Sequence, residues 1–289
     1  MKLGIALCVG ITLLIIILKY TRKKRKPVEY INKLSFVASR IYGMANKNLE
    51  QLEGKVQDSE ETQDYYVGML RRQAMIANDL SLILVDRPSQ NLTTPYILLR
   101  TLMDDFLHVM HLDQSPSKDE DIIRINAKSY RDNFMSVHNL TKSEIQEYSG
   151  ETLGYLNPEA LEELKNIIRA KPKINKYLED SETLKFKKFI PLTQLAEKFD
   201  SPNKHYNFAR DRTYHFWKSY SSFVHFSIWC YEYELREDIL NLNAIEECFQ
   251  YVFNTVHFCA SHFKETKGTQ VFIDPYLVKE MRFALLKKM

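Results

Sequence analysis

The amino-acid sequence predicts an all-α protein in which a single N-terminal transmembrane helix precedes a cytoplasmic helical bundle. Glycine makes up only 8 of the 289 residues, roughly half its usual share of about 7%, which leaves little material for hairpin turns. From residue 28 onward, apolar residues recur at three- and four-residue spacing, which is typical of amphipathic helices. No two strand-like runs are joined by an Asn-Gly or Asp-Gly turn, so an all-helical fold is favoured.

The first helix is predicted to cross a membrane. Residues 3–18 carry no charge, and six lysines and arginines follow between residues 19 and 26. This run covers about 24 Å, and the flanking Met1, Lys19 and Tyr20 supply the rest of a hydrocarbon core of roughly 30 Å. Clusters of basic residues stay on the cytoplasmic side of a membrane. Residues 1–27 are therefore predicted to anchor the chain in the inner (cell) membrane with the N-terminus outside. The alternative, a cleaved signal peptide, is disfavoured because the positive charge follows the apolar run.

Residues 28–289 are predicted to form the helical bundle domain, with residues 141–201 as a more irregular cap or insertion. Prolines and glycines interrupt this middle part, whereas the helical spacing continues over long segments on either side. Asp274, directly before Pro275, is the predicted N-cap of the last helix. The predicted helices span residues 28–53, 60–86, 94–112, 119–139, 158–170, 206–235, 243–264 and 275–287.

Composition and motifs argue against several function classes. The 45% share of apolar residues and the four cysteines exclude disordered proteins and disulfide scaffolds, and no Cys-x-x-Cys pair indicates a thiolate metal site. The net charge is only +3, and six positive charges belong to the membrane flank. The rest of the chain is therefore close to neutral and has no basic stripe of the kind that would indicate nucleic-acid binding. The sequence contains no phosphate-binding loop, no His-Glu-x-x-His and no Gly-x-Ser-x-Gly motif.

Two otherwise apolar helices each carry a narrow polar stripe. In the helix predicted at residues 94–112, Arg100, Asp104, His108 and His111 fall within an arc of about 80°, whereas Asp105 lies to one side. The stripes either face water, as in any amphipathic helix, or face each other across a cleft, where Arg100 and Asp104 would pair and histidines would titrate near neutral pH. The second stripe, in the helix predicted at residues 206–235, comprises Asp211, His215, Lys218, Ser222 and His225, with Tyr214 and Ser221 at its edge.

Two short motifs on these helices resemble a known family. An Arg-x3-acid pair, Arg100 and Asp104, is followed in an aromatic helix by Ser-x3-His, Ser221 and His225. The pattern is similar to that of a bacterial all-helical family known only as a domain of unknown function. The resemblance covers the helical core from the 60s to the 260s and implies that these four positions form the site, without implying a reaction. The chain departs from the family pattern by having Asp in place of Glu at residue 104 and by its N-terminal anchor.

The preferred interpretation is a membrane-tethered interaction or sensing module. Arg100, Asp104, His215, Ser221 and His225 are the candidate site residues, and a buried polar network of this kind can fix the register of two helices. The chain has 17 tyrosines and 16 phenylalanines. Most of them are expected to pack in the core, and a face rich in Tyr and Phe would contact a protein partner or a second copy of the chain.

Two enzymatic alternatives remain open at this point. A ribonuclease-like helical domain, acting in stress or phage defence, would use Arg-x4-His to hold a phosphate and transfer a proton, and Arg210 with His215 fits that spacing. Arg131 and His138 show a related spacing. A metal-dependent hydrolase would take weak candidate ligands from one helical face, together with Asp211 or His225. Those candidates are Asp104, His108 and His111.

Overall fold

The computed structural model describes residues 27–56, 61–86, 94–147, 158–189, 201–224 and 238–281. These residues are mostly helical, which confirms the all-α prediction for this part of the chain. The helices are α1 (Pro27–Glu50), α2 (Glu61–Asp86), α3 (Thr94–Gln114), α4 (Lys118–Glu147), α5 (Pro158–Arg169), α6 (Pro172–Asn175), α7 (Lys204–Val224), α8 (Asp238–Lys267) and α9 (Pro275–Glu280). A two-stranded hairpin, β1 (Leu178–Asp180) and β2 (Lys185–Phe186), lies between α6 and α7.

The main hydrophobic core is shared by α1, α2, α3, α7 and α8. Helix α3 packs against both α7 and α8, and α8 also packs against α1 and α2. Apolar side chains recur along α3 at helical spacing, and Leu99, Leu102 and Phe106 among them are fully buried. From α8, Phe249 and Phe253 enter the same core. Helix α3 is therefore enclosed by neighbours on several sides, which explains why it is apolar around most of its circumference.

A second, smaller core lies within residues 158–189 and one face of α4. This region corresponds to the middle of the predicted cap. Tyr130 packs at the edge of this core. The buried residues of the second core are Ile123, Ala127, Phe134, Ile168, Ile174, Leu178, Leu184 and Phe189.

The hairpin lies in the part of the chain that was predicted only as a more irregular cap or insertion. Strand β1 pairs with β2 in antiparallel fashion. The carboxylate of Asp180 accepts hydrogen bonds from Glu182 N at 2.9 Å and Thr183 Oγ1 at 2.6 Å, and so closes the turn. Leu184 has a positive φ of 52° and a buried side chain, so the second core holds it in a conformation that L residues rarely adopt. The sequence did not indicate this hairpin because its Asx-type turn lacks the Asn-Gly or Asp-Gly signature.

Most helix boundaries lie close to the predicted ones, and α4 and α8 are longer than predicted. The N-cap prediction is confirmed, since the carboxylate of Asp274 accepts a hydrogen bond from Tyr276 N at 2.9 Å. The predicted end of the aromatic helix at residue 235 lies outside the described residues. Within the described ranges, no helix combines the length and apolarity needed to cross a membrane, and the anchor predicted at residues 3–18 lies outside those ranges.

Candidate functional site

Helices α3 and α7 lie side by side in opposite directions, which brings the two stripe-bearing segments together. Near one end, the hydroxyl of Tyr206 donates a hydrogen bond to the carbonyl of Met110. Near the other end, the rings of Tyr96 and Tyr220 stack with centroids 6.0 Å apart. Between these contacts, Arg100 of α3 faces the C-terminal half of α7.

Arg100 is the centre of the polar cluster between the two helices. Its Cζ atom lies 3.7 Å from the ring centroid of Trp217, and its Nε donates a hydrogen bond to Ser221 Oγ at 3.0 Å. The Ser221 hydroxyl in turn donates to the carbonyl of Trp217 at 2.9 Å. Asp104 completes the cluster, with Oδ1 3.8 Å from Arg100 Nη1. The structure thus brings together Arg100, Asp104 and Ser221, three of the candidate site residues, and adds Trp217.

The contacts of Arg100 with α7 contribute more to the cluster than its ion pair with Asp104. The Asp104 side chain is 39% exposed and belongs to the same helix, so this pair contributes only about 0.3–0.5 kcal/mol. A partly desolvated cation–π contact contributes about 0.5–2 kcal/mol, and a hydrogen bond from a charged donor about 1.5–3 kcal/mol. Burial lowers the pKa of Arg100, and the carboxylate of Asp104 opposes that shift, but an arginine remains charged at neutral pH.

Only part of the second stripe belongs to this cluster. His215 is exposed, and its ring lies 6.2 Å from that of Tyr214. None of the contacts seen in the described residues joins His215 to Arg100. His225, the fourth position of the motif that resembles the bacterial family, lies outside the described residues. Trp217, which the sequence interpretation treated only as one of several aromatic neighbours, contacts Arg100 more closely than any histidine of the described part of α7.

The stripe on α3 is divided between two neighbouring helices. Arg100, which pairs with Asp104, contacts α7, whereas His111 Nε2 lies 3.1 Å from Asp121 Oδ2 on α4. Burial lowers the pKa of His108, and the nearby carboxylate of Asp104 partly offsets this. Within the described ranges, no group of three or more histidine, cysteine or acidic side chains is arranged to hold a metal ion. Asp104, His108 and His111 do not form such a group by themselves.

Sequence reasoning missed a polar group at the turn between α3 and α4. Asp121 accepts hydrogen bonds from Ser115 Oγ and Arg124 Nη2, each at 2.5 Å, in addition to its contact with His111. Burial lowers the pKa of His111, and the carboxylate of Asp121 opposes this shift. An acidic residue in the first turn of a helix is a recognisable cap signal, but its histidine partner is not evident from spacing.

A second missed group surrounds Asp105, the acidic residue that lies off the stripe. Its carboxylate is buried and accepts hydrogen bonds from Arg72 Nε and Gln73 Nε2 of α2, both at 2.9 Å. Burial raises its pKa to about 6 although the neighbouring arginine and amide lower it. No sequence motif links residue 105 to residues 72 and 73, because the contact depends on how α2 packs against α3.

The two Arg-x-His motifs of the ribonuclease hypothesis lie on separate helices, α7 and α4. In each motif the arginine contacts the aspartate that follows it in sequence: Arg210 Nε donates to Asp211 Oδ1 at 3.0 Å, and Arg131 Nη2 donates to Asp132 Oδ1 at 2.6 Å. His138 stacks on Phe134 with centroids 5.6 Å apart. In both motifs, therefore, the arginine forms a partly exposed ion pair with the aspartate that follows it.

Comparison with protein family models, characterised proteins and solved structures finds no match to this chain. The resemblance to a bacterial family of unknown function therefore stays a prediction.

Proposed function

We propose that the protein is a membrane-tethered helical interaction or sensing module, in which the α3–α7 cluster fixes helix register and performs no catalysis. The observation that carries this proposal is that the guanidinium of Arg100 is engaged by its own protein. It stacks on Trp217, donates to Ser221 and pairs with Asp104. The ordinary use of such an arrangement is to lock two helices in one relative position.

Ser221 supports this interpretation because its hydroxyl has two internal partners. It accepts from Arg100 and donates to the carbonyl of Trp217. A serine that acts as a nucleophile needs a neighbouring base to take its proton. In the part of α7 that the structure describes, the hydroxyl proton is directed to a backbone carbonyl instead.

Conservative replacement of Arg100 tests the structural role. We expect Arg100→Lys to lower the free energy of unfolding by about 1–3 kcal/mol, because an ammonium has no planar face for the indole and no Nε for Ser221. Lys218→Gln, which changes an exposed cation on α7, should stay within about 0.5 kcal/mol of the unsubstituted protein. Urea unfolding of the full chain in mild detergent measures the free energy of unfolding of both variants.

A catalytic cluster would behave differently. If Arg100→Lys leaves the free energy of unfolding unchanged, the register role is wrong. If the purified chain cleaves RNA and His215→Ala abolishes the cleavage, the ribonuclease alternative replaces the proposal.

The membrane tether depends on the uncharged run at residues 3–18 and the basic cluster that follows it. We expect the full chain to sediment with membranes after an alkaline carbonate wash, which strips peripheral proteins. A variant that lacks residues 3–18 should remain in the supernatant. Recovery of the full chain in the supernatant would contradict the tether.

A further inference from the structure

A cleft opens between residues that pack against the two hydrophobic cores. It has a volume of about 550 Å³, within the range of roughly 300–1,000 Å³ that small-molecule sites occupy. Tyr65 of α2 lines it and packs against the main core, while Tyr130 of α4 lines it and packs against the second core. Ligand sites occur preferentially at such junctions. The cleft does not involve the α3–α7 cluster, so the inference stands apart from the proposed function.

Helix α4 supplies a polar wall of the cleft. Asn126, Tyr130 and Asn133 recur at the four- and three-residue spacing that keeps side chains on one helical face. The two asparagines are two helical turns apart, or about 10 Å along the axis. Each side-chain amide offers both donors and an acceptor, the same groups that a peptide bond presents.

Two opposite charges also line the cleft. Asp64 of α2 contributes a carboxylate, and Lys171, at the start of α6, contributes an ammonium that lies 5.5 Å from the ring centroid of Tyr130. Within the described residues, no ion pair joins Asp64 to Lys171 or to another side chain. Opposite charges that face one cavity without pairing match a ligand that carries both signs.

We propose that this cleft binds a short zwitterionic peptide of two or three residues. Lys171 holds the peptide's carboxylate, Asp64 holds its ammonium, and Asn126 and Asn133 pair with its backbone amides. Three extended residues span about 10 Å, which matches the spacing of the two asparagines. The rings of Tyr65 and Tyr130 supply apolar contacts for the peptide's side chains.

Other small ligands use these groups less completely. A neutral sugar pairs with the amides and rings but leaves both charges without a partner. A nucleoside phosphate pairs with Lys171 but brings a second negative charge into the cleft that Asp64 lines. A zwitterionic peptide satisfies both charges and both amides, and is therefore the occupant that the lining favours.

Affinity selection with the full chain in mild detergent tests the proposal. The protein is incubated with a mixed library of tripeptides that have free termini, and peptides retained on ultrafiltration are identified by mass spectrometry. We expect retained peptides to bind at least about tenfold more weakly after N-acetylation or C-amidation, because each modification removes one charge-assisted contact.

Four substitutions locate the site. Asp64→Asn should abolish the difference between free and acetylated peptides, and Lys171→Gln the difference between free and amidated peptides. Asp79→Asn on α2 and Lys173→Gln on α6, both at exposed positions outside the cleft, are the matched controls and should leave binding unchanged. Thermal unfolding of each variant verifies that it is folded.

Three outcomes would overturn the proposal. The first is that no tripeptide is retained. The second is that blocked and free peptides bind equally well, or that the controls weaken binding as much as the cleft substitutions do. The third is that a monosaccharide or nucleoside mixture, tested in the same filtration, is retained in place of the peptides.

Discussion

Asp104 and Asp105 are adjacent on α3, yet their carboxylates lie in different environments. A step of about 100° around the helix places Asp104 at the partly open edge beside Arg100 and directs Asp105 towards α2. The side chain of Asp104 is 39% exposed, whereas Asp105 as a whole is 8% exposed. Arg72, the charged partner of Asp105, is itself half exposed, so its charge offsets only part of the desolvation.

The buried carboxylate of Asp105 predicts a specific pH dependence of stability. Its folded-state pKa of about 6 exceeds the unfolded value of roughly 3.9. The folded state therefore binds more protons between these pH values, and the contribution of Asp105 to the free energy of unfolding falls as the pH rises. We expect the loss between pH 4 and pH 7 to be about 2–3 kcal/mol relative to Asp105→Asn. Urea unfolding at several pH values measures the difference, and identical pH profiles for the two proteins would refute it.

At the scale of the element, α9 shows how one side chain can both begin a helix and attach it to the bundle. Asp274 accepts a hydrogen bond from Tyr276 N, and its carboxylate also accepts from Arg40 of α1, with Oδ2 2.6 Å from Nε and Oδ1 2.9 Å from Nη2. Pro275 suits the first helical position because its missing N–H would have no partner there. Leu277 then enters the main core.

Two substitutions separate the cap of α9 from its ion pair. Asp274→Ala removes both the cap and the ion pair with Arg40. Loss of the cap alone should lower the free energy of unfolding by about 1–2 kcal/mol, and loss of the ion pair should lower it further. Asp274→Asn keeps a cap acceptor and loses the charge, so it should be less destabilising. Equal losses in the two variants, measured by thermal or urea unfolding, would show that the cap contributes nothing.

At the scale of the whole molecule, the second core is connected to the bundle largely through α4. One face of α4 packs inside the second core, and Glu120 near its start contacts two residues beside the hairpin. The Tyr177 hydroxyl donates to Glu120 Oε1 at 2.5 Å, and Lys176 forms an ion pair with the same carboxylate. We therefore expect the region to open locally without unfolding the main core.

We expect Glu120→Gln to increase local opening of the second core. The neutral amide weakens both contacts, so backbone amides of the hairpin, such as Lys187 N, which donates to the carbonyl of Tyr177, should exchange with solvent faster. Amides in α8 should exchange at their original rate. Glu163→Gln, at an exposed position on α5, is the control, and mass-spectrometric hydrogen exchange is the measurement. Equal acceleration in both variants would contradict the role of Glu120.

Helical periodicity and punctuation predicted the elements because both are local properties of the chain. The 94–112 helix and the Asp274 cap were predicted from residues within one or two turns of each other. The 178–186 hairpin was missed because a buried Leu184, rather than a recognised turn pair, holds its backbone. For the site, the sequence indicated Arg100, Asp104 and Ser221 as candidates, but not Trp217 as the residue on which the arginine stacks.

The sequence by itself therefore determined the all-helical class, the approximate helix boundaries and the position of polar side chains around each helix, since these follow from local geometry and hydrophobic spacing. Only the tertiary structure decided which polar side chains meet. Arg100 lies against α7, Asp105 against α2, His111 against α4, and the cleft opens between two cores. These contacts depend on how helices far apart in sequence pack, and the packing is set by complementary shape and burial over the whole core.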